Sequence, residues 1–322
     1  MENTDAEEVT LDIEEEAEAE ATPKPKPRPK RKAIVVEDVA GDAAGISVGW
    51  KRAALLTSVD AGQSWQEAGS TALPGTVGTV TGPFLSGSSA VFDNRNQLRV
   101  ELLNDAMTLL SETGSGVLAG RNLALVGTEL VQFQTAELVG PRQYVLSRLL
   151  RGRRGTEWAI SSHVAGERFV LIEQDALAFV AVPAGLPVLQ VMASGVGDVS
   201  PFPYAELLAP RAALQPLAPV HLSVVDATAG DAIVRWVRRS RNGWAWLDHI
   251  DAPLAEEIER YQVEVIPDSA PARRFETNAP EWTYTVAARS ADIASGASRI
   301  DINIRQIGTH IVSHPAGIVI NL

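Results

Sequence analysis

Short apolar or alternating runs, each closed by Gly, Pro, Asn or Asp, recur from residue 33 onward, and this rhythm restricts the chain to sheet. AIVVEDV (33–39), KRAALLTSV (51–59), NQLRVELL (96–103), LALVGTELVQFQTAEL (123–138), QYVLSRLL (143–150) and RFVLIE (168–173) read as strands joined by turns. Leu130, Gln132 and Gln134 alternate with Val131, Phe133 and Thr135, a period of two that puts Phe133 on the packed face. RNQLRVELLNDAMTLL has some helical spacing but is read here as extended. From residue 216, PLAPVHLSVV, AIVRWVRR, ERYQVEVIP, WTYTVAA, SRIDINIRQIG and GIVINL form six further runs, at the spacing of a small antiparallel sandwich.

The expected fold class is therefore all-β, and 322 residues allow two domains beside a tail. The tail is 1–32. Residues 1–22 carry ten acidic side chains and no basic one, whereas PKPKPRPKRK (23–32) carries six basic and no acidic one. Neither block can bury apolar area, and alternating prolines favour a polyproline II spacer, so the segment is expected to be disordered or ordered by a partner. An electrostatic tether to a neighbouring protein or membrane surface is the functional alternative. A β-rich domain over 33–213 and a β-sandwich over 214–322 complete the expected organisation.

Composition removes several functions. With no cysteine there is no disulfide framework, thiol nucleophile or thiolate zinc site. The net charge of −12 argues against a dedicated nucleic-acid binder. No apolar run is long enough to span a bilayer, and the acidic start lacks the form of a secretory signal. His163, His221, His249, His310 and His314 are scattered, so no metal or other cofactor is expected. No G-x-S-x-G elbow, H-E-x-x-H helix or CxxC cluster occurs. His163, in SSHVAGE, is assigned a core or turn role, and no residue is nominated as catalytic.

The sandwich runs resemble the fibronectin type III module. Pro216 and Pro219 lead in, Trp236 stands on the second strand, Tyr261 on the third, and Ile300, Ile302 and Ile304 alternate along the penultimate one. An isoleucine replaces that strand's usual aromatic. Between the second and third strands, Trp244 and Trp246 flank Ala245 beside Gly243, and Glu256, Glu257 and Glu259 follow. The two tryptophans are candidates for stacking on a sugar or anchoring a protein. Alternatively they cover a sandwich edge while Arg235, Arg238, Arg239 and Arg241 pair with the glutamates.

The stretch 120–173 is similar to a block of phage tail tip proteins, namely the C-terminal region of the gene transfer agent baseplate multidomain (megatron) family and its siphovirus relatives. The resemblance is carried by Asn122, Gly127 and Glu129, Gln132 and Phe133, LLRGRRGTE (149–157) and GERFVL (166–171). LTSVDAGQSW (56–65), FDNRNQLRVEL (92–102) and APLAEEIERYQVEV (252–265) agree in order. It implies a non-enzymatic baseplate hub component, located in the virion tail tip and assembled in the host cytoplasm. Its partners would be other tail-tip proteins, in a homo-trimer, with a host receptor or glycan as a further contact. The family's glycosidase-like region has no counterpart here. A receptor-binding module acting through Trp244 and Trp246 is the second reading, and a carbohydrate-active enzyme the third.

Two turns carry this reading. In LLRGRRGTEW, Gly152 and Gly155 are suited to positive φ, and Arg148, Arg151, Arg153 and Arg154 are expected to extend outward as forks for a neighbouring subunit's carboxylates. Ser58, Asp60, Gly62, Ser64 and Trp65 fit the S-x-D-x-G-x-[ST]-W turn of sialidase propellers, present here once and read as a structural hairpin turn.

Overall fold

A computed structural model describes residues 33–36, 42–45, 52–71, 74–180, 188–195, 204–208, 214–226, 230–242 and 252–322. The charged tail and both candidate tryptophans, Trp244 and Trp246, lie outside the described residues. Among those residues the chain is all-β with two short α-helices, and no helix is long and apolar enough to cross a membrane.

Six antiparallel strands close into a barrel: β5 (Thr76–Val80), β6 (Leu98–Leu102), β7 (Leu123–Val126), β8 (Glu129–Gly140), β9 (Gln143–Leu150) and β10 (Arg168–Leu171). Their order around the barrel is β10-β5-β6-β9-β8-β7, with β7 paired back onto β10. Closure removes the unpaired edges that six short strands would otherwise expose. The interior is packed solid by Leu98, Val100, Leu102, Val126, Val131, Phe133, Leu146, Leu149 and Phe169. Phe133 sits in that core, as its alternation predicts. Gln132, on the opposite face of β8, is nevertheless buried, because helix α1 (Gly114–Leu118) lies over it; its amide donates to the carbonyls of Val117 and Arg121 at 2.6 and 2.8 Å.

Before the barrel, β1 (Ala33–Val36) pairs with β2 (Asp42–Gly45). β3 (Ala53–Ser58) and β4 (Gln66–Ser70) form a hairpin. After the barrel, β11 (Val188–Gly195) and β12 (Tyr204–Leu208) return to it, giving a four-stranded sheet ordered β12-β11-β3-β4. The β3–β4 turn is held by Asp60: Ser64 donates to it through N–H at 2.9 Å and through Oγ at 2.6 Å, and Ser58 Oγ donates at 2.7 Å. These bonds, those from Ser64 foremost, hold the Asp60 pKa down at about 2. The Gly62 N–H donates to Ser58 Oγ at 2.8 Å, and Trp65 packs on Tyr204 with ring centroids 6.0 Å apart.

The C-terminal module is a fibronectin type III-like sandwich. One sheet is β13 (Val220–Asp226), β14 (Ala232–Val237) and β17 (Glu281–Tyr284). The other is β16 (Arg273–Thr277), β15 (Tyr261–Pro267), β18 (Arg299–Gln306) and β19 (Ala316–Asn321). Trp236 and Tyr261 meet edge to face at 5.1 Å, and Val234, Val263, Val265, Ile300, Ile302 and Ile304 fill the space between the sheets. The Tyr261 hydroxyl donates to Glu259 at 2.6 Å.

Two readings need correction here. WTYTVAA is not a strand throughout: Thr285 caps a helix, α2 (Val286–Ala294), by accepting from the Ala288 N–H at 3.3 Å. α2 carries Asp292 into a buried position, where it accepts from Tyr284 Oη and Arg273 Nη2, each at 2.5 Å. The second is the set of six sandwich runs: β16, whose charged RRFET segment shows no apolar alternation, is a further strand, placed by its register with β15.

Ile302, fully buried in the middle of β18, is the clearest test of the sandwich core. Ile302→Ala is expected to cost about 2–5 kcal/mol, read as a shift in the urea midpoint at unchanged m.

Candidate functional site

Alternation along the barrel strands delivers an unusual set of side chains to one mouth. Glu129 opens β8 on the same face as Val131 and Phe133; Arg151 follows β9 on the face of Leu149; Glu167 precedes β10 on the face of Phe169. All three therefore point toward the end of the core. Arg151 is fully buried there.

The guanidinium is completely satisfied. Nε donates to Glu129 Oε1 at 2.9 Å, and Nη2 to Glu129 Oε2 at 2.8 Å and the Ile160 carbonyl at 3.3 Å. Nη1 donates to the Leu85 carbonyl at 2.9 Å and to Asp93 Oδ2 at 3.5 Å. All five N–H groups thus have acceptors. The Phe84 ring lies 3.7 Å beneath the guanidinium carbon, adding a cation–π contact. This corrects the sequence expectation: Arg151 does not extend toward a neighbouring subunit, because its bidentate carboxylate is Glu129 of the same chain.

Glu129 is equally crowded. Besides Arg151 it accepts from the Gly152 N–H at 2.6 Å and faces His163 Nε2 at 2.6 Å. The other ring nitrogen, Nδ1, lies 2.5 Å from Glu167 Oε1. Two carboxylates on the two nitrogens favour a proton on each, the imidazolium form of His163. Burial alone would depress its pKa, but the hydrogen bonds to Glu129 and Glu167 outweigh burial and raise it. For Glu129 burial acts upward, and the bonds from His163 and Arg151 hold the carboxyl below its ordinary value. Asp93 is likewise lowered, against burial, by Asn96 and the Arg95 N–H. Two cations and three carboxylates therefore close the barrel mouth.

The other arginines of the motif part company. Arg148 is exposed on β9, donating to Gln134 at 2.9 Å over the Phe92 ring. Arg153 donates through Nε to the buried Gln132 Oε1 at 2.8 Å, and Arg154 is exposed with a left-handed backbone (φ 54°, ψ 32°). Gly152 and Gly155 take φ of 60° and 91°. Gly155 also lies close against the sandwich lead-in, where a Cβ would require the Leu217 side chain to move.

That contact belongs to a joint between barrel and sandwich. Arg239, two residues beyond β14, forks onto Glu157 at 2.6 and 3.3 Å and donates to the Ala218 carbonyl at 2.7 Å. Trp158 stacks on His314 with centroids 4.5 Å apart. The arginines in and after β14 thus have separate partners: Arg241 reaches Glu256 at 2.8 Å, Arg238 lies 3.8 Å from Glu259, and Arg235, within β14, pairs with Glu281 across the sheet. Among the described residues no group of His, Asp and Glu is arranged to hold a metal.

Breaking the mouth from one side should be severe. Arg151→Leu takes from the buried Glu129 its bidentate partner, leaves it only His163 and the Gly152 N–H, and is expected to cost about 3–5 kcal/mol by chemical denaturation, against under about 0.5 kcal/mol for Arg148→Ala. The pH dependence has a definite sign. His163, with its folded pKa raised, contributes stability fully present below 6.5 that is lost as pH rises through the folded value. Glu129, lowered, contributes stability present above 4.5 that is lost as pH falls through its folded value. His314 runs the other way from His163, losing stability as pH falls below 6.5, so the difference between wild type and His163→Gln isolates the mouth. That difference in unfolding free energy should shrink as pH is raised above 6.5 in a denaturation series.

The comparisons with known proteins divide along the same lines. The family model described as Rcc01698-like, C-terminal, matches residues 75–170, under a third of the chain, and its limits fall within one residue of the barrel's. No curated protein matches. Among solved structures the chain is similar to the FN1–FN3 domains of chicken CNTN1, at 11% identity over 90% of this chain and 96% of that one, with a TM-score of 0.23. It is also similar to a two fibronectin type III domain segment from chicken tenascin, at 10% identity over 77% and 99%, with a TM-score of 0.24. Likenesses at that level decide nothing about the fold, which rests on the strand orders given above; the Rcc01698-like match is the one that bears on the barrel.

Proposed function

We propose that this chain is a non-enzymatic structural component of a phage or gene-transfer-agent tail tip, part of a baseplate hub located in the virion and assembled in the host cytoplasm. The observation that carries the reading is the Rcc01698-like match falling on the barrel, where LLRGRRGTE, the block most similar to the tail-tip family, closes the mouth and builds the joint. The architecture suits such a role. A barrel without open edges meets a sandwich through Arg239–Glu157, through Trp158 on His314 and through Gly155 against Leu217. The groups a catalytic reading would draw on, His163, Glu129 and Arg151, are occupied by one another. Within the hub we place the chain in a homo-trimer, whose symmetry would repeat each surface patch three times.

Quantitative mass spectrometry of gradient-purified particles tests this. The chain should be present in a few copies, in a multiple of three, against many copies of the tail-tube protein. Its absence from particles sinks the proposal. Binding of the purified chain to cells, lost on Trp244→Ala with Trp246→Ala, would then favour the receptor-binding module.

A further inference from the structure

A cleft of about 320 Å³ opens beside the barrel mouth, lined on the barrel side by Gln132, Arg153, Arg154 and Leu118 and on the sandwich side by Arg239. It is cationic in a chain whose net charge is −12. Glu157, also in the lining, is already neutralised by Arg239. Arg153 and Arg154 meet no carboxylate among the described residues.

Arg153 is held in place from behind. The amide of Gln132, 2% exposed, is fixed by the Val117 and Arg121 carbonyls, and its oxygen takes the Arg153 Nε–H at 2.8 Å. Because a guanidinium is planar, fixing Nε orients the two terminal nitrogens as a fork that meets no carboxylate among the described residues. Arg154 adds a second fork one residue on, at a left-handed position where glycine would be more comfortable and arginine is strained. Gly152 and Gly155 show that this turn accommodates glycine readily; the third left-handed position instead carries a cation. On the rim, Leu118 is 66% exposed and supplies apolar surface beside the two forks.

We propose that this cleft is a docking site for an acidic peptide segment of another protein, with two carboxylates on the Arg153 and Arg154 forks and an apolar side chain against Leu118. Bidentate forks suit carboxylates and phosphates alike, and the neighbouring leucine is what favours a peptide over a bare polyanion. This reading stands on the cleft alone and does not require that the chain be a tail component. The purified full chain is titrated into a fluorescein-labelled peptide of glutamates with a central leucine, followed by anisotropy, with the glutamine version and a single-stranded oligonucleotide of equal charge alongside. The glutamate peptide should bind, the glutamine one should not, and the oligonucleotide should bind more weakly. Arg154→Gly, which relieves the strained backbone and so keeps the fold, should raise Kd roughly tenfold, as should Arg153→Ala. Equal binding by Arg154→Gly and wild type, no binding of the glutamate peptide, or tighter binding of the oligonucleotide would each overturn the proposal.

Discussion

The pairing of Arg151 with Glu129 is the constraint on which the rest of the structure depends. A six-stranded barrel has room inside for side chains only, and its mouth must be stopped against water. Here the stopper is a buried guanidinium that reaches outward in five hydrogen bonds: to β8 through Glu129, to the segment between β5 and β6 through Leu85 and Asp93, and to the turn after β9 through Ile160. Together these bonds fix three separate pieces of chain. A leucine in the same place would fill the volume and tie down none of them.

A buried ion pair often does no better for stability than a well-packed apolar substitute, but it adds direction. What it specifies is the path of the chain after β9. Glu129 accepts the Gly152 N–H, which starts the left-handed turn; the turn places Glu157 and Trp158, and these receive Arg239 and His314 from the sandwich. The joint is thus a downstream consequence of the mouth. His163 ties the same carboxylate to Glu167 at the start of β10, so both ends of the segment 151–167 are anchored on Glu129.

Much of this fold is legible in the residues. QYVLSRLL is β9 to the residue, Phe133 is in the core by simple alternation, and Ile300, Ile302 and Ile304 mark β18 as a central strand. The S-x-D-x-G-x-S-W turn closes the β3–β4 hairpin through Asp60. What alternation misses is long-range. Gln132 reads as a surface residue until α1 covers it, β16 is a strand only because β15 and its neighbours lie beside it, and VAARSADIA continues a strand-like run before Thr285 caps it into a helix. Arg151 is the sharpest case. Four arginines in seven residues look like a basic surface, and only the parity shared by Glu129, Leu149, Arg151 and Phe169, together with the knowledge that the strands close, turns one of them inward.

That parity also explains why the motif does two things at once. Along LLRGRRGTEW the chain leaves the barrel, so consecutive arginines are no longer bound by the alternation of a strand. Arg151 is the last residue governed by it and is buried; Arg153 is caught by Gln132 on the outside of β8; Arg154 is exposed and meets no carboxylate among the described residues. One short basic run is therefore divided by geometry into a structural ion, a positioned fork and an open one. The two cations left over face a cleft whose far wall belongs to the other module. A surface built this way keeps its shape only while the joint holds, which ties anything that occupies the cleft to the same Glu129 carboxylate that stops the barrel.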